Sequence, residues 1–348
     1  MKTIVIDGEV LGTDRMDGIH RFMIEVLSRI DELLPEKELK IHLIHRDSTK
    51  IKNLELKNIK DVPLSGINKA YRFITIPKYI KKVDGIYCSM SNDAVCCADS
   101  IFTIMDLIPL YPISKYPIKA LARMKMTYRT MKKYGRRIVT ISEESKKDII
   151  SKLGIESSAI TVVGTGYEHM NDIVEVDDIQ SAFEVAKKDE YYYAIGNQYP
   201  YKNFKWVREV AKRNPKSTFV VAGSKTNIEA DLGKETSNLV YIGYVSDEEN
   251  KSLMKNAKAF IHPSKLEGFG IPPLEALSLG TPILVARASC LPEIYGGCAR
   301  YFDPDDYDVD IDLLMTQPVD DPKIVLDKYS WDNTARQWLD IFSKEADR

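Results

Sequence analysis

Glu267 and Glu275, eight positions apart, flank the run Gly268-Phe269-Gly270-Ile271-Pro272-Pro273, and this stretch offers more chemistry than any other part of the chain. Glycine lets a backbone approach a bound group closely, and proline suits a first helical turn, whose N–H groups have no internal partner. The loop therefore presents bare backbone donors at the start of a short helix, an arrangement that receives anions. Glu275 is expected in the first turn of that helix, where a carboxylate complements the dipole. Glu267 is expected at the end of a loop that follows the strand-like run Ala259-Phe260-Ile261. Gly280 closes the helix, and Thr281-Pro282 leads into Ile283-Leu284-Val285-Ala286, so residues 258–304 read as strand, loop, helix and strand of a parallel sheet. Spacing alone also fits an ordinary tight connection with a glutamate near a helix start.

Such a loop needs a sheet on either side of it, and the chain has the material. Its 348 residues are 44% hydrophobic, enough for two cores of ordinary domain size. The formal net charge of −2 gives no global field for a nucleic acid, so no nucleic-acid partner is expected. Five cysteines, Cys88, Cys96, Cys97, Cys290 and Cys298, form no C-x-x-C pair and have no histidine at zinc spacing, a reduced, cytoplasmic inventory. The N-terminus runs straight into a strand, Lys2-Thr3-Ile4-Val5-Ile6-Asp7, with no signal-like apolar region, and no run long enough to span a bilayer follows.

Along the first half, a loop with Gly8, Gly12 and Gly18 leads from that strand to an amphipathic helix over 19–34, without the G-x-G-x-x-G of a dinucleotide fold. Residues 39–45 read as a strand and 46–72 as polar connections. The short apolar runs 85–88 and 101–104 read as buried parallel strands. The second ends in Met105-Asp106, at the strand end where open α/β sheets bind ligands. A strand over 137–141, a helix from 143 to 153 capped by Ser142, and a strand over 160–163 close the first sheet. Residues 168–190 are acid-rich and read as a crossing between domains. A second β-α rhythm then begins at Tyr191-Tyr192-Tyr193-Ala194-Ile195-Gly196 and continues through 203–213, 218–222, 240–243 and 247–256.

With Ala276, Gly280-Thr281-Pro282 and Leu291-Pro292-Glu293 added, the Glu267-to-Glu275 stretch resembles the E-x7-E signature of the family-4 retaining glycosyltransferases. The resemblance implies an α/β fold of the GT-B kind: two Rossmann-like parallel-sheet domains facing a cleft, the nucleotide sugar held mainly by the C-terminal one. Tyr329-Ser330-Trp331-Asp332 resembles the opening of the family's closing helix, which crosses back to the N-terminal domain. The domains implied are 1–170 with 329–348, on the acceptor side, and 171–328, binding the nucleotide sugar. Tyr201-Lys202-Asn203 stands where the family has Arg-Lys-Asn, so Lys202 and the backbone of Gly268, Phe269, Gly270 and Ile271 are assigned to the donor diphosphate, with one family cation replaced by Tyr201. Glu275 is assigned to the ribose hydroxyls, Val245 to the loop holding the base, and Glu267, with Asp106, to the catalytic surroundings of the transferred sugar.

Gly18-Ile19-His20-Arg21-Phe22 resembles the family's Gly-Ile-Gly-Arg-Tyr, placing Gly18 and Arg21 near the donor phosphates; His20 and Arg21 equally suit a solvated first turn. Met105 replaces a family histidine and cannot exchange a proton. The activity implied is retaining transfer of a sugar from a UDP- or GDP-linked donor to a glycan or glycolipid acceptor, in cell-surface polysaccharide synthesis, with no metal or other cofactor. The Asp run over 303–312 lacks the Gly and Glu of a calcium loop, and a solvated acidic run is the simpler reading. An inactive nucleotide-sugar-binding subunit and a nucleotide-sugar epimerase are the alternatives to transfer.

Residues 115–137 hold nine lysines and arginines, and no acid occurs between Asp106 and Glu143. On a helix, Ala120, Leu121, Met124, Tyr128, Met131 and Tyr134 share one face, while Lys125, Arg129, Lys132 and Arg136 lie on the opposite one. A one-signed stripe suits an anionic bilayer surface, so the protein is expected to be cytoplasmic and peripheral on the inner face of the cell membrane. A solvated or acceptor-phosphate-binding face is the other reading.

Overall fold

The computed structural model describes residues 1–12, 17–36, 38–66, 70–97, 99–197, 199–223 and 236–348. Two compact units are formed: Met1–Leu107, Tyr116–Thr165 and Ser330–Arg348 make the first, Ile108–Lys115 and Gly166–Tyr329 the second.

In the first unit, strands β1 (Thr3–Asp7), β2 (Ile41–Arg46), β3 (Lys60–Leu64), β4 (Gly85–Ser89), β5 (Ser100–Thr103), β6 (Gly135–Thr140) and β7 (Ile160–Val162) form one sheet in the order β3-β2-β1-β4-β5-β6-β7. All its pairs are parallel. The central strands are buried on both faces, which is why they read as unbroken apolar runs: Ile4, Val5 and Ile6 are fully buried. β3 lies inside the stretch read as connection. It is an edge strand, Lys-Asp-Val-Pro-Leu, and an edge tolerates both the charge and the missing N–H of Pro63 that hide it from a hydrophobic pattern.

Helices α1 (Gly18–Leu33), α2 (Ile76–Lys82), α3 (Ile118–Tyr134) and α4 (Glu143–Asp148) connect these strands. Asp17 caps α1 by accepting from the N–H groups of Ile19 and His20, and Ser142 caps α4 through Ser145 N–H. The C-terminal helix Trp331–Ala346 belongs to this unit and packs on α1, where the buried Trp331 meets Phe22 edge-on at 5.9 Å and Arg29 Nε donates to Asp332 at 2.7 Å. Tyr128 and Met131 are the buried residues of α3. Arg136 is not on that helix. The chain leaves it at Gly135, and Arg136 lies in β6, where it and Arg137 pair with the buried Glu345 at 3.2 and 3.1 Å.

In the second unit, β8 (Tyr191–Ile195), β9 (Thr218–Ala222), β10 (Leu239–Gly243), β11 (Ala259–His262), β12 (Ile283–Ala286) and β13 (Arg300–Phe302) are ordered β10-β9-β8-β11-β12-β13, again all parallel. Sequence order runs outward in one direction from β8 and in the other from β11, so the switch of direction falls between these two strands. Ligands bind at the carboxyl ends of strands at such a switch. The stretch read as a plain crossing contains two short helices, α5 (His169–Asp172) and α6 (Ile179–Ala182). The acidic run is taken up locally: Asp303, Asp306 and Asp310 accept from the N–H groups of Asp305, Asp308 and Leu313, and Asp312 accepts from Lys258 Nζ at 2.6 Å. Among the described residues, no group of three or more His, Cys, Asp or Glu side chains is placed to hold a metal ion.

Candidate active site in the second unit

At the carboxyl end of β8 the chain turns through Pro200–Lys202, and Asn203, left-handed at φ 57°, starts helix α7 (Phe204–Arg213). That turn is pinned by its neighbours: Tyr201 O accepts from Lys265 N–H at 2.8 Å, and Asn203 Nδ2 donates to Pro304 O at 2.9 Å. Lys202 is thereby aimed at Glu267, whose Oε1 accepts from Lys202 Nζ at 2.7 Å and from Nε2 of His262, the last residue of β11, at 2.8 Å. Burial alone would raise the Glu267 carboxyl. The Lys202 ammonium and the His262 bond outweigh it and hold the group far below the usual carboxylate range. Glu267 is therefore a buried, fixed anion. Its backbone is locked as well, because Ser289 Oγ accepts from Glu267 N–H at 3.2 Å and donates to Glu267 O at 2.9 Å.

Gly270 caps helix α8 (Ile271–Ser278) with φ 85°, and a Cβ there would meet Leu291 Cδ2 at 2.8 Å. Only glycine suits this position on both counts. Phe269 packs edge-on against Tyr329 at 5.0 Å, and the buried Tyr295 hydroxyl donates to Gly270 O. Held on both sides, residues 268–271 point their backbone N–H groups at no protein acceptor among the described residues. They remain available to an anion.

Glu275 is the fifth residue of this helix rather than part of its first turn. The helix begins immediately after the left-handed Gly270, so Pro272 and Pro273 occupy the first turn and push the carboxylate one turn deeper. Its Oε1 lies 3.0 Å from Nε2 of His169, a buried residue of α5. Both carboxylates act on the Tyr295 phenol, which burial first and then neighbouring charges including Glu267 and Glu275 push well up. Val245 is buried in the loop after β10, at the same carboxyl edge of the sheet, where Ser246 and Glu249 form a reciprocal cap on the following helix Asp247–Lys255.

The structure thus gathers Lys202, Glu267, the 268–271 backbone and Glu275 in one unit, and adds His262 and His169, which sequence reasoning missed. His262 carried a usable signal, standing at the end of a buried strand just before the motif. His169 carried none, since it sits in a stretch without pattern and meets Glu275 across 106 positions of chain. Tyr201 stacks on Tyr199 with ring centroids 5.6 Å apart.

The remaining candidates belong to the first unit. Gly18 opens α1 and a Cβ on it would meet nothing within 4 Å. Arg21 is half-buried in the first turn. His20 is buried, its ring bonded to Asp17 Oδ1 at 3.0 Å and to Val10 O at 2.6 Å, so it closes its own loop. Asp106 follows β5 beside the buried Met105, whose N–H donates to Asn92 Oδ1 at 2.9 Å. At the carboxyl ends of β1, β2 and β4 a cavity of about 620 Å³ is lined by Asp7, Glu9, Arg46, Lys50, Lys52 and Asp93 among others. On α3, Lys125 and Arg129 are exposed, as are the apolar Ile118 (85%) and Met126 (66%). Lys132 instead donates to Leu153 O at 2.7 Å, and with Arg136 committed to Glu345 the free basic face is narrower than the helical pattern suggests. No helix among the described residues is long and apolar enough to cross a membrane.

Residues 175–298 match the family model described as glycosyl transferases group 1. The O-antigen chain mannosyltransferase RfbU of Salmonella typhimurium is 25% identical over 230 residues, covering 64% of this chain and 61% of that protein. The O-antigen chain mannosyltransferase B of Escherichia coli is 26% identical over 231 residues, covering 59% and 60%. The chain thus spans about six-tenths of the length of these curated relatives. Among solved structures, Anabaena Alr3699/HepE in complex with UDP and glucose superposes with a TM-score of 0.70 at 14% identity, covering 99% of this chain and 100% of that one. WaaG, a glycosyltransferase involved in lipopolysaccharide biosynthesis, superposes with a TM-score of 0.60 at 15% identity, covering 99% and 98%. These structural likenesses give the fold, two parallel-sheet α/β units of the GT-B type. Residues 175–298, within the second unit, are thus a domain of the glycosyl transferases group 1 kind, related in sequence to the O-antigen mannosyltransferases.

Proposed function

We propose that this protein is a retaining glycosyltransferase that moves a sugar from a nucleoside-diphosphate donor to a glycan acceptor carried on a lipid, in the synthesis of a surface polysaccharide. The observation that carries the reading is Glu267: a buried carboxylate kept ionised by Lys202 and His262, next to a row of uncommitted backbone N–H groups at the switch point of a parallel sheet. Breaking the donor's glycosidic bond builds negative charge on the leaving diphosphate and positive charge at the anomeric carbon. Lys202 and the 268–271 N–H groups meet the first, and the fixed anion Glu267 meets the second. Glu275 takes the ribose hydroxyls and the loop of Val245 the base. The nucleotide sugar is a co-substrate, and the charges needed at the diphosphate come from the chain itself.

The first unit is assigned the acceptor side, and its own cavity at the carboxyl ends of β1, β2 and β4 is large enough for a sugar unit. The mannosyltransferase relatives favour a mannosyl donor, and the UDP-bound neighbour keeps UDP-linked sugars in the test. Lys125 and Arg129, flanked by exposed Ile118 and Met126, fit an anionic membrane surface that would bring a lipid-linked acceptor within reach.

A panel of UDP- and GDP-linked hexoses, offered with and without a lipid-linked glycan, tests the proposal. Transfer only in the presence of acceptor, with the anomeric configuration retained, is the expected result. The matching nucleoside diphosphate at a hundred times its Kd should raise stability by about 2.7 kcal/mol. Isomerisation of the donor without acceptor, or binding with no turnover, would replace transfer by an epimerase or a binding subunit.

A further inference from the structure

We infer that His169 and His262 are positioning residues, each holding one oxygen of a motif carboxylate so that the other oxygen meets the substrate in a fixed direction. This rests on the assignment of Glu275 and Glu267 to the donor proposed above. The two histidines come from separate elements, α5 and β11, yet make the same contact: Nε2 to Oε1, at 3.0 Å on Glu275 and 2.8 Å on Glu267. Among the described residues, no protein hydrogen bond is made to Oε2 of either carboxylate. Both histidines are 3% exposed, so bulk water does not replace them, and a carboxylate only accepts, so in each pair Nε2 carries the hydrogen.

A free glutamate explores several rotamers, and ordering them at the moment of binding would weaken the donor's hold. With Oε1 tied, that ordering is complete before the donor arrives. The division matters most at Glu267, where Lys202 and His262 share one oxygen. When Lys202 turns to a donor phosphate, His262 alone keeps the carboxylate in place. His169 does the corresponding work at Glu275 from a segment three residues beyond Gly166, where the second unit resumes.

The test uses the full-length protein and the nucleoside diphosphate identified by the panel, together with its 2′,3′-dideoxy counterpart. Calorimetry on wild type, Glu275→Gln, His169→Phe and His169→Gln gives the ratio of the two affinities, which reports ribose recognition and is insensitive to a general loss of structure. His169→Phe should lower this ratio on the order of tenfold, the worth of one hydrogen bond to a charged group, and bring it to the Glu275→Gln value. His169→Gln, which still donates an N–H, should recover most of it. At the second pair, His262→Phe should lower kcat by a similar factor with nucleotide affinity unchanged, and His262→Gln should restore it. If His169→Phe does not fold, His169→Leu carries the same comparison. A ratio that stays at wild type in His169→Phe, or losses in the phenylalanine variants that glutamine does not recover, overturns the inference. A ratio unchanged in Glu275→Gln itself instead removes the ribose assignment on which it rests.

Discussion

Replacing Lys202 by methionine leaves Glu267 in a site built for two charges, and the cost follows from the burial of the pair. The two side chains are 19% and 9% exposed and 2.7 Å apart. Removing one partner of a buried ion pair costs about 3–5 kcal/mol, and because His262 still donates to Glu267 the Lys202→Met variant belongs near the lower end, about 3 kcal/mol. Glu267→Gln strands the lysine, which lies closer to water and can reach it, so about 1–2 kcal/mol is expected. The double variant lacks both charges and should lose about 2 kcal/mol less than the sum of the singles, a coupling within the range for residues in direct contact.

This coupling has a defined pH dependence. Lys202 and His262 depress the Glu267 pKa in the folded chain, so the pair's contribution is fully present above the unfolded carboxylate value of about 4.3 and is lost as pH falls through the folded value. Urea denaturation of the four proteins without nucleotide, at several values between pH 8 and pH 5, measures it. A constant coupling over that window, declining only in stronger acid, is expected. A coupling below about 0.5 kcal/mol at pH 7 would refute the view that Glu267 is held as an anion by Lys202.

Four further outcomes can be checked. Gly270→Ala forces a side chain into a left-handed position and against Leu291, so it should cost about 1–2 kcal/mol from the backbone alone and weaken nucleotide diphosphate binding measured by calorimetry. Tyr201→Arg adds a cation beside Lys202 and should tighten binding of the diphosphate but not of the nucleoside, since charge-assisted bonds to phosphate are the stronger ones; equal affinities would mean another group already fills that place. Trp331→Ala removes the fully buried ring that seats the C-terminal helix on α1 and should destabilise the chain by about 3–5 kcal/mol in thermal or denaturant unfolding. In liposome sedimentation, binding should require anionic lipid and fade with salt; Lys125→Gln with Arg129→Gln should lose about 2 kcal/mol of it, at about 1 kcal/mol per basic residue, whereas Arg136→Gln should leave it unchanged.

The sequence by itself determined the α/β class, the positions of nearly all the strands, and the loop and helix around Gly270. These are local properties: a strand buried on both faces must be an apolar run, and a left-handed turn before a helix selects glycine followed by proline. Where a residue's environment departs from that logic, the reading failed for a physical reason. Edge strand β3 needs no apolar pattern, Arg136 follows the helical spacing of α3 but falls after Gly135 in β6, and Glu275 sits a turn deeper because two prolines fill the first turn. Only the tertiary structure decided what holds the carboxylates. Lys202 reaches Glu267 across 65 positions and His169 reaches Glu275 across 106. The first contact exists because β8 and β11, distant in sequence, end side by side in one sheet, and the second because α5 brings His169 against α8; no periodicity in the chain encodes which side chains will meet there.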